Sequence, residues 1–129
     1  MAASPTFTST PRIGAVSLGS ADTSYTAPTN VVTVITGVAA GTRIDQVVVQ
    51  MTATVSSATI VRLWLYDGTT YFLYDEVTIE ARTGSQSVMQ TRSVRRYDSL
   101  VLPSSSWSLR ATVHTSNAGN VQAFGADLT

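Results

Sequence analysis

The chain has 129 residues, which suits one domain with a sizeable hydrophobic core. Its eight basic and eight acidic residues leave no net charge, which argues against binding nucleic acid or membranes through a broadly basic surface. The absence of cysteine excludes a disulfide framework and thiolate metal sites, and no apolar run approaches the roughly 20 residues that cross a bilayer.

Ser, Thr and Val are abundant, and stiff β-branched side chains favour pleated strands. All eight basic residues are arginines. Arginine forms bidentate ion pairs and is enriched at protein interfaces, where lysine is depleted, so this bias indicates assembly. A GC-rich gene is the other explanation for the same bias.

The first eleven residues are small and polar, and their prolines favour an extended chain. We predict an N-terminal arm over residues 1–11 and a single domain over residues 12–129. The arm lacks the basic segment and apolar core of a secretory signal. Phe7 is its only aromatic residue, and it could anchor the arm on a neighbouring subunit.

Eight segments have the composition or the alternation of β-strands, and turn residues separate them. We predict strands over 12–18, 31–36, 42–54, 60–66, 71–79, 99–102, 107–114 and 121–128. Asp67-Gly68 predicts a hairpin with a two-residue turn. About eight short strands favour an all-β, antiparallel two-sheet β-sandwich, jelly-roll-like or immunoglobulin-like.

Alternation predicts which face of each strand is buried. Val47, Val49, Met51 and Ala53 should face the core, with Gln46, Val48, Gln50 and Thr52 on the opposite face. On a later strand Trp107, Leu109, Ala111 and Val113 should face inward. Residues 60–66 are apolar on both faces apart from Arg62. That strand should be covered on both sides, either centrally in the sandwich or at a subunit contact.

Five aromatic residues gather at the predicted hairpin: Trp64, Tyr66, Tyr71, Phe72 and Tyr74. Cross-strand aromatic pairs stabilise a sheet, and this is the interpretation we favour. The alternative is an exposed platform on which a sugar or a protein stacks.

Three arginines lie within five residues, at Arg92, Arg95 and Arg96. A cluster of this kind can bind nucleic acid, but acidic Glu80 and Asp98 flank it in a neutral chain. We therefore predict a salt-bridge patch that contacts another subunit.

The residues that catalysis needs are scarce. His114 is the only histidine, and no cysteine accompanies it, so neither a catalytic triad nor a three-ligand zinc site can be assembled. The acidic residues Asp67, Asp75, Glu76 and Glu80 do not have the spacing of a calcium loop. Asp75 with Glu80 remains open as a pair for glycoside hydrolysis. We expect no enzyme, no cofactor and no metal site.

Three segments carry a resemblance to known proteins: TPRIGAVSLGSAD, VVTVITGVAAGTRIDQVVVQMTAT and ATIVRLWLYDG. They resemble a family of small virion structural proteins of tailed phages, which open with a Pro-x-Phe-x-x-Thr-Pro-Arg arm and carry Thr-Arg-Ile-Asp before an Asp-Gly hairpin. Here those elements are Pro5, Phe7, residues 10–14, 33–45 and 61–68, so the likeness covers about the first two-thirds of the chain.

The resemblance implies a protein that works by assembly, and it fits a jelly-roll head decoration (cement) protein that bridges major capsid proteins. The expected partners are the major capsid protein and the chain itself, as a homotrimer, with no direct nucleic-acid or membrane contact. The expected location is the capsid exterior, after synthesis in the host cytoplasm. Phe7, Arg12, Arg92, Arg95 and Arg96 are the predicted contact residues. A tail, neck or baseplate protein and a carbohydrate-binding module are the alternatives.

Overall fold

The computed structural model describes residues 8–128, and its eight β-strands form two antiparallel four-stranded sheets. None of the described residues forms a helical segment that could span a bilayer. The strands are β1 (Thr8–Leu18), β2 (Val32–Thr36), β3 (Thr42–Met51), β4 (Thr59–Tyr66), β5 (Tyr71–Ile79), β6 (Arg92–Leu102), β7 (Ser108–Val113) and β8 (Gly119–Leu128). The predicted all-β sandwich is confirmed.

The strand order identifies the sandwich as a jelly roll. The sheets are ordered β1-β8-β3-β6 and β2-β7-β4-β5. Strands pair antiparallel as β1 with β8, β2 with β7, β3 with β6 and β4 with β5, as in one long hairpin whose tip is the β4–β5 turn. Lateral pairing of β3 with β8 and of β4 with β7 rolls that hairpin into two sheets.

The core lies between the two sheets and is built from alternate residues of their strands. Val47, Val49 and Met51 of β3 are buried in it, as predicted. Leu109 and Ala111 of β7 are likewise buried in the core cluster. Burying one such side chain completely contributes roughly 1.5–3 kcal/mol for a Val or a Leu, so this alternation accounts for much of the stability of the sandwich.

The β4–β5 hairpin forms at the predicted place but with a different turn. Four residues, rather than two, join the strands, because Tyr66 pairs with Tyr71. Only Gly68 has a positive φ, 100°, whereas a two-residue type I′ turn requires two such residues. The Asp67 carboxylate caps the turn by accepting bonds from the N–H groups of Thr69 and Thr70 at 2.8 and 2.7 Å.

The largest differences from the predicted boundaries are in β6, β1 and β3. Strand β3 ends at Met51 rather than at residue 54, so Ala53, which was predicted to face the core, lies beyond the strand and is exposed. Strand β6 is continuous from Arg92, so the predicted strand over 99–102 begins too late. This strand lies at a sheet edge, where exposed arginines replace the apolar alternation that the prediction relied on. Strand β1 begins at Thr8, inside the predicted arm. The rest of that arm, including Phe7, lies outside the described residues.

Candidate functional site

The central part of the outer face of the β2-β7-β4-β5 sheet is covered by the chain itself. Arg62, Trp64 and Thr112 point away from the core, yet each is 0% exposed. Part of the cover is the β1–β2 connection, whose Tyr25 ring lies 4.0 Å from the guanidinium carbon of Arg62. The same guanidinium donates to the carbonyl of Asp22 at 3.4 Å. The two-sided burial predicted for residues 60–66 therefore arises within one subunit, in part from this connection.

The Asp22 carboxylate holds the β1–β2 connection in its folded shape. One oxygen accepts a bond from the N–H of Ser24 at 2.9 Å, and the other accepts from the N–H groups of Thr29 and Asn30 at 2.6 and 2.8 Å. Burial alone would raise the pKa of Asp22, but the N–H groups of Ser24, Asn30 and Thr29 outweigh it and lower that pKa below its ordinary value. The connection is therefore tied at both of its ends to one ionised group.

The single histidine helps to position Arg62. Nδ1 of His114 lies 3.2 Å from both terminal nitrogens of Arg62, so Nδ1 accepts from the guanidinium and the ring proton lies on Nε2. Arg62 forms no ion pair with a carboxylate within residues 8–128, and its buried Nε has no hydrogen-bond partner there. His114 thus belongs to the support beneath the β1–β2 connection.

The five hairpin aromatics do not form one exposed platform. Trp64 is fully buried and donates its Nε1–H to the Thr112 hydroxyl at 3.0 Å. Tyr66 and Tyr71 lie against the Arg110 guanidinium, which is 4.2 Å from the Tyr66 ring centre and donates to the Tyr71 hydroxyl at 3.2 Å. These contacts within the sheet support the interpretation that the aromatics stabilise it.

The remaining two hairpin aromatics, Phe72 and Tyr74, lie at the free edge of β5. Phe72 is 47% exposed and stacks on Trp107 with ring centres 6.3 Å apart. Leu73 and Tyr74 are also exposed, which makes three consecutive exposed apolar residues on an edge strand. An edge of this kind is a site at which another chain can pair or pack.

Asp75, one of the candidate carboxylates, contacts β6 from the neighbouring edge strand β5. Tyr97 donates its hydroxyl to Asp75 at 2.8 Å, and Arg95 forms an ion pair with Asp75 at 3.6 Å. Burial, reinforced by the bond to Asp75, raises the pKa of Tyr97. Asp75 therefore links the two sheets, whereas Glu80, its possible partner in hydrolysis, is exposed beyond the end of β5.

The outer face of the other sheet, β1-β8-β3-β6, is open, and we call it the open face. The strand registers place most of its outward side chains in three rows. The rows are Ile13, Phe124, Gln46 and Arg96; Ala15, Gln122, Val48 and Val94; and Ser17, Asn120, Gln50 and Arg92. All of these residues except Val48 are exposed or half-exposed.

The open face combines amides, apolar groups and guanidinium groups. Amide side chains occupy its centre, while Ile13, 68% exposed, and Val94, 42% exposed, lie towards its two edges. The only charged groups in these three rows are Arg92 and Arg96, both on β6. A surface that combines exposed apolar residues with arginines has the chemistry of a protein interface.

The predicted contact residues separate in space. Arg92 and Arg96 share the open face, but the intervening Arg95 points to the other sheet, where it donates to the main-chain carbonyl of Glu76 at 3.0 Å. Arg12 lies at the opposite flank and pairs with Asp127 at 2.9 Å. The three arginines that are clustered in the sequence are therefore not one patch.

Sequence reasoning missed most of the open face. It assigned Gln46, Val48 and Gln50 to the face turned away from the core, which the structure confirms. The residues opposite them, Gln122 and Phe124, are more than 70 positions away in the chain, so only strand pairing brings them together. The available signal was the amide-rich alternation of β3 and β8.

Metal-binding chemistry has no evident site in this part of the chain. Within residues 8–128 no three potential ligands among His, Asp and Glu side chains come together as a metal site would require.

No protein-family model matches the chain, and no curated protein matches it either.

Proposed function

We propose that the protein is a phage head decoration protein, which binds the outer surface of the capsid and stabilises the shell by bridging major capsid proteins, without catalysis. The observation that carries this proposal is the contrast between the two outer sheet faces. The β1–β2 connection contributes to covering one, whereas the other presents exposed Ile13, Val94 and arginines to the surroundings. A face left in this state suits a protein that works by docking.

Two further observations support the proposal. Double-sheet jelly rolls recur in viral capsid proteins, although they also occur in lectins and cupins. The resemblance of residues 5–14, 33–45 and 61–68 to small virion proteins points in the same direction. A protein that binds only the assembled shell stabilises it by mass action, so no catalytic group is needed for this role.

Self-association completes the proposal. Phe72, Leu73 and Tyr74 form the exposed apolar edge of β5, which belongs to the other sheet. Contacts through this edge would join copies into a homotrimer and leave each open face available to the capsid. The predicted arm before β1 would add a contact beside that face, since β1 is the edge strand of the same sheet.

The test is immunogold labelling of particles produced from the genome that encodes this chain. A decoration protein places label over the whole head. Label confined to one vertex or to the tail would instead identify a neck, tail or baseplate protein. Absence of label from the particles, together with binding on a glycan array, would replace the proposal with a carbohydrate-binding module.

A further inference from the structure

We propose that the open face docks on an acidic protein surface, with Arg92 and Arg96 as its anchoring groups. This inference rests on the proposed function and specifies the chemistry of the surface that the decoration protein recognises. The contact surface is the part of β6 and β3 around Val94, extended across the sheet to Ile13 and Phe124.

The two anchors are spaced and oriented by strand geometry. Arg92 and Arg96 are separated by four residues on β6 and so project from the same face, about 13 Å apart along the strand. Val94 lies between them and beside Val48, which is 2% exposed. An apolar contact with a guanidinium group on each side fixes the position of a partner along the strand.

The ion pairs of the chain leave both anchors available. Within residues 8–128, Arg12, Arg43 and Arg95 each pair with a carboxylate, whereas Arg92 and Arg96 form no ion pair. Both are exposed, so their guanidinium groups are hydrated in the free protein. A partner carboxylate can replace that water with a bidentate bond, the pairing for which arginine geometry is suited.

Protection of the sheet edge would be another reason for charges on β6. Charged side chains on an edge strand discourage unwanted pairing with other strands. That explanation does not account for Ile13, which is 68% exposed at the opposite edge of the same face, or for half-exposed Phe124 beside it. Docking accounts for the arginines and for these apolar residues together.

Charge argues against a second open face as the occupant. The three rows contain no carboxylate. Asp45 and Asp98 border the face at the β3–β6 irregularity, and Asp45 already binds Arg43 at 2.8 Å. A second open face would therefore meet the arginines without supplying counter-ions from its rows. The two guanidinium groups of these rows are also few for a nucleic acid, whose binding grows with the number of phosphates neutralised, and the chain as a whole is neutral.

The experiment compares binding to purified heads of the virus whose genome encodes the chain. The variant is the double substitution Arg92→Glu with Arg96→Glu, and the matched control is Arg82→Glu, an equally exposed arginine outside the open face. Because all three side chains are exposed, circular dichroism and thermal unfolding should show that both variants fold. We expect the double variant to bind at least about tenfold more weakly and the control to bind like the wild type.

Each other outcome overturns the inference in a distinguishable way. If heads bind the double variant with an affinity within about twofold of that for the wild type, the decoration role stands but the open face is not the surface that docks. Failure of the wild type itself to bind would remove both proposals. Loss of binding to double-stranded DNA in a mobility-shift assay, with head binding unchanged, would assign the arginines to nucleic acid. A change of sedimentation coefficient in the double variant, again without an effect on heads, would assign them to self-association.

Discussion

The guanidinium carbon of Arg62 lies 4.0 Å from the centre of the Tyr25 ring, and this contact joins the β1–β2 connection to the outer face of a sheet. It buries a charged side chain that lacks a carboxylate partner in the described chain. The cover over this face is therefore part of the folded domain. Its contribution to the free energy of unfolding can be measured without reference to docking.

Arg62→Met should lower the free energy of unfolding by less than about 1 kcal/mol or raise it. The reason is that an apolar side chain of similar length avoids the cost of desolvating an unpaired charge. Arg62→Ala should cost about 2 kcal/mol or more, since it leaves a cavity under Tyr25. Urea unfolding measures both. A methionine variant as unstable as the alanine variant would show that the guanidinium contacts themselves stabilise the fold.

Asp22 should make stability depend on pH in the acid range. Its pKa is lowered in the folded protein, so its contribution is fully present above the unfolded value of about 3.9 and is lost as the pH falls through the lower folded value. Asp22→Asn should be less stable at pH 7 and should lose less stability between pH 5 and pH 2. Urea unfolding across this range measures both effects.

A second acid, Asp67, provides the control for the pH experiment. The N–H groups of Thr70 and Thr69 lower its pKa too, but it lies in an exposed turn. Asp67→Asn should keep most of the acid dependence that Asp22→Asn removes. Equal pH profiles for the wild type and the Asp22 variant would contradict the assigned role of Asp22.

Gly14→Ala should destabilise the sandwich by about 1–3 kcal/mol or more, because a Cβ at this position would overlap the main-chain carbonyl of Val34 and lie 2.7 Å from Cβ of Ile35. Gly19→Ala is the matched control, since nothing lies within 4 Å of its added carbon. Thermal unfolding compares the two. Similar melting temperatures for both variants would show that β1 and β2 can separate at little cost.

Removing residues 2–7 should weaken binding to heads while leaving the thermal unfolding of the sandwich unchanged. The deletion must stop before Thr8, because residues 8–11 belong to β1 and Pro11 pairs with Ala126 of β8. Phe7→Ala isolates the aromatic part of the contact. Undiminished affinity of the truncated protein for heads would remove the arm from the interface.

Leu73→Arg should shift the protein from trimer to monomer in native mass spectrometry, because it places a charge within the exposed apolar edge of β5. Met89→Arg is the control, as Met89 is also exposed but lies in the β5–β6 connection. A wild-type protein that is already monomeric, or a trimer that survives Leu73→Arg, would remove the β5 edge from self-association.

Local pattern predicted a large part of this fold. The strand over residues 71–79 has the predicted bounds, and the inward faces of β3 and β7 are those expected from alternation. These features depend on near neighbours in the chain, since successive side chains of a strand point to opposite sides. Alternation also explains why Arg95 points to the opposite side of the sheet from Arg92 and Arg96, although we predicted the three arginines to form one patch.

By itself, the sequence determined most of the strands and the buried sides of β3 and β7. Only the tertiary structure decided which outer face is open. That outcome depends on Asp22 folding the β1–β2 connection and on Tyr25 meeting Arg62, and neither contact has a periodic signature in the sequence. The open face is also assembled across four strands, because pairing places Gln122 beside Val48. Contacts between residues far apart in the chain are set by the packing of whole sheets, so the open face follows from topology.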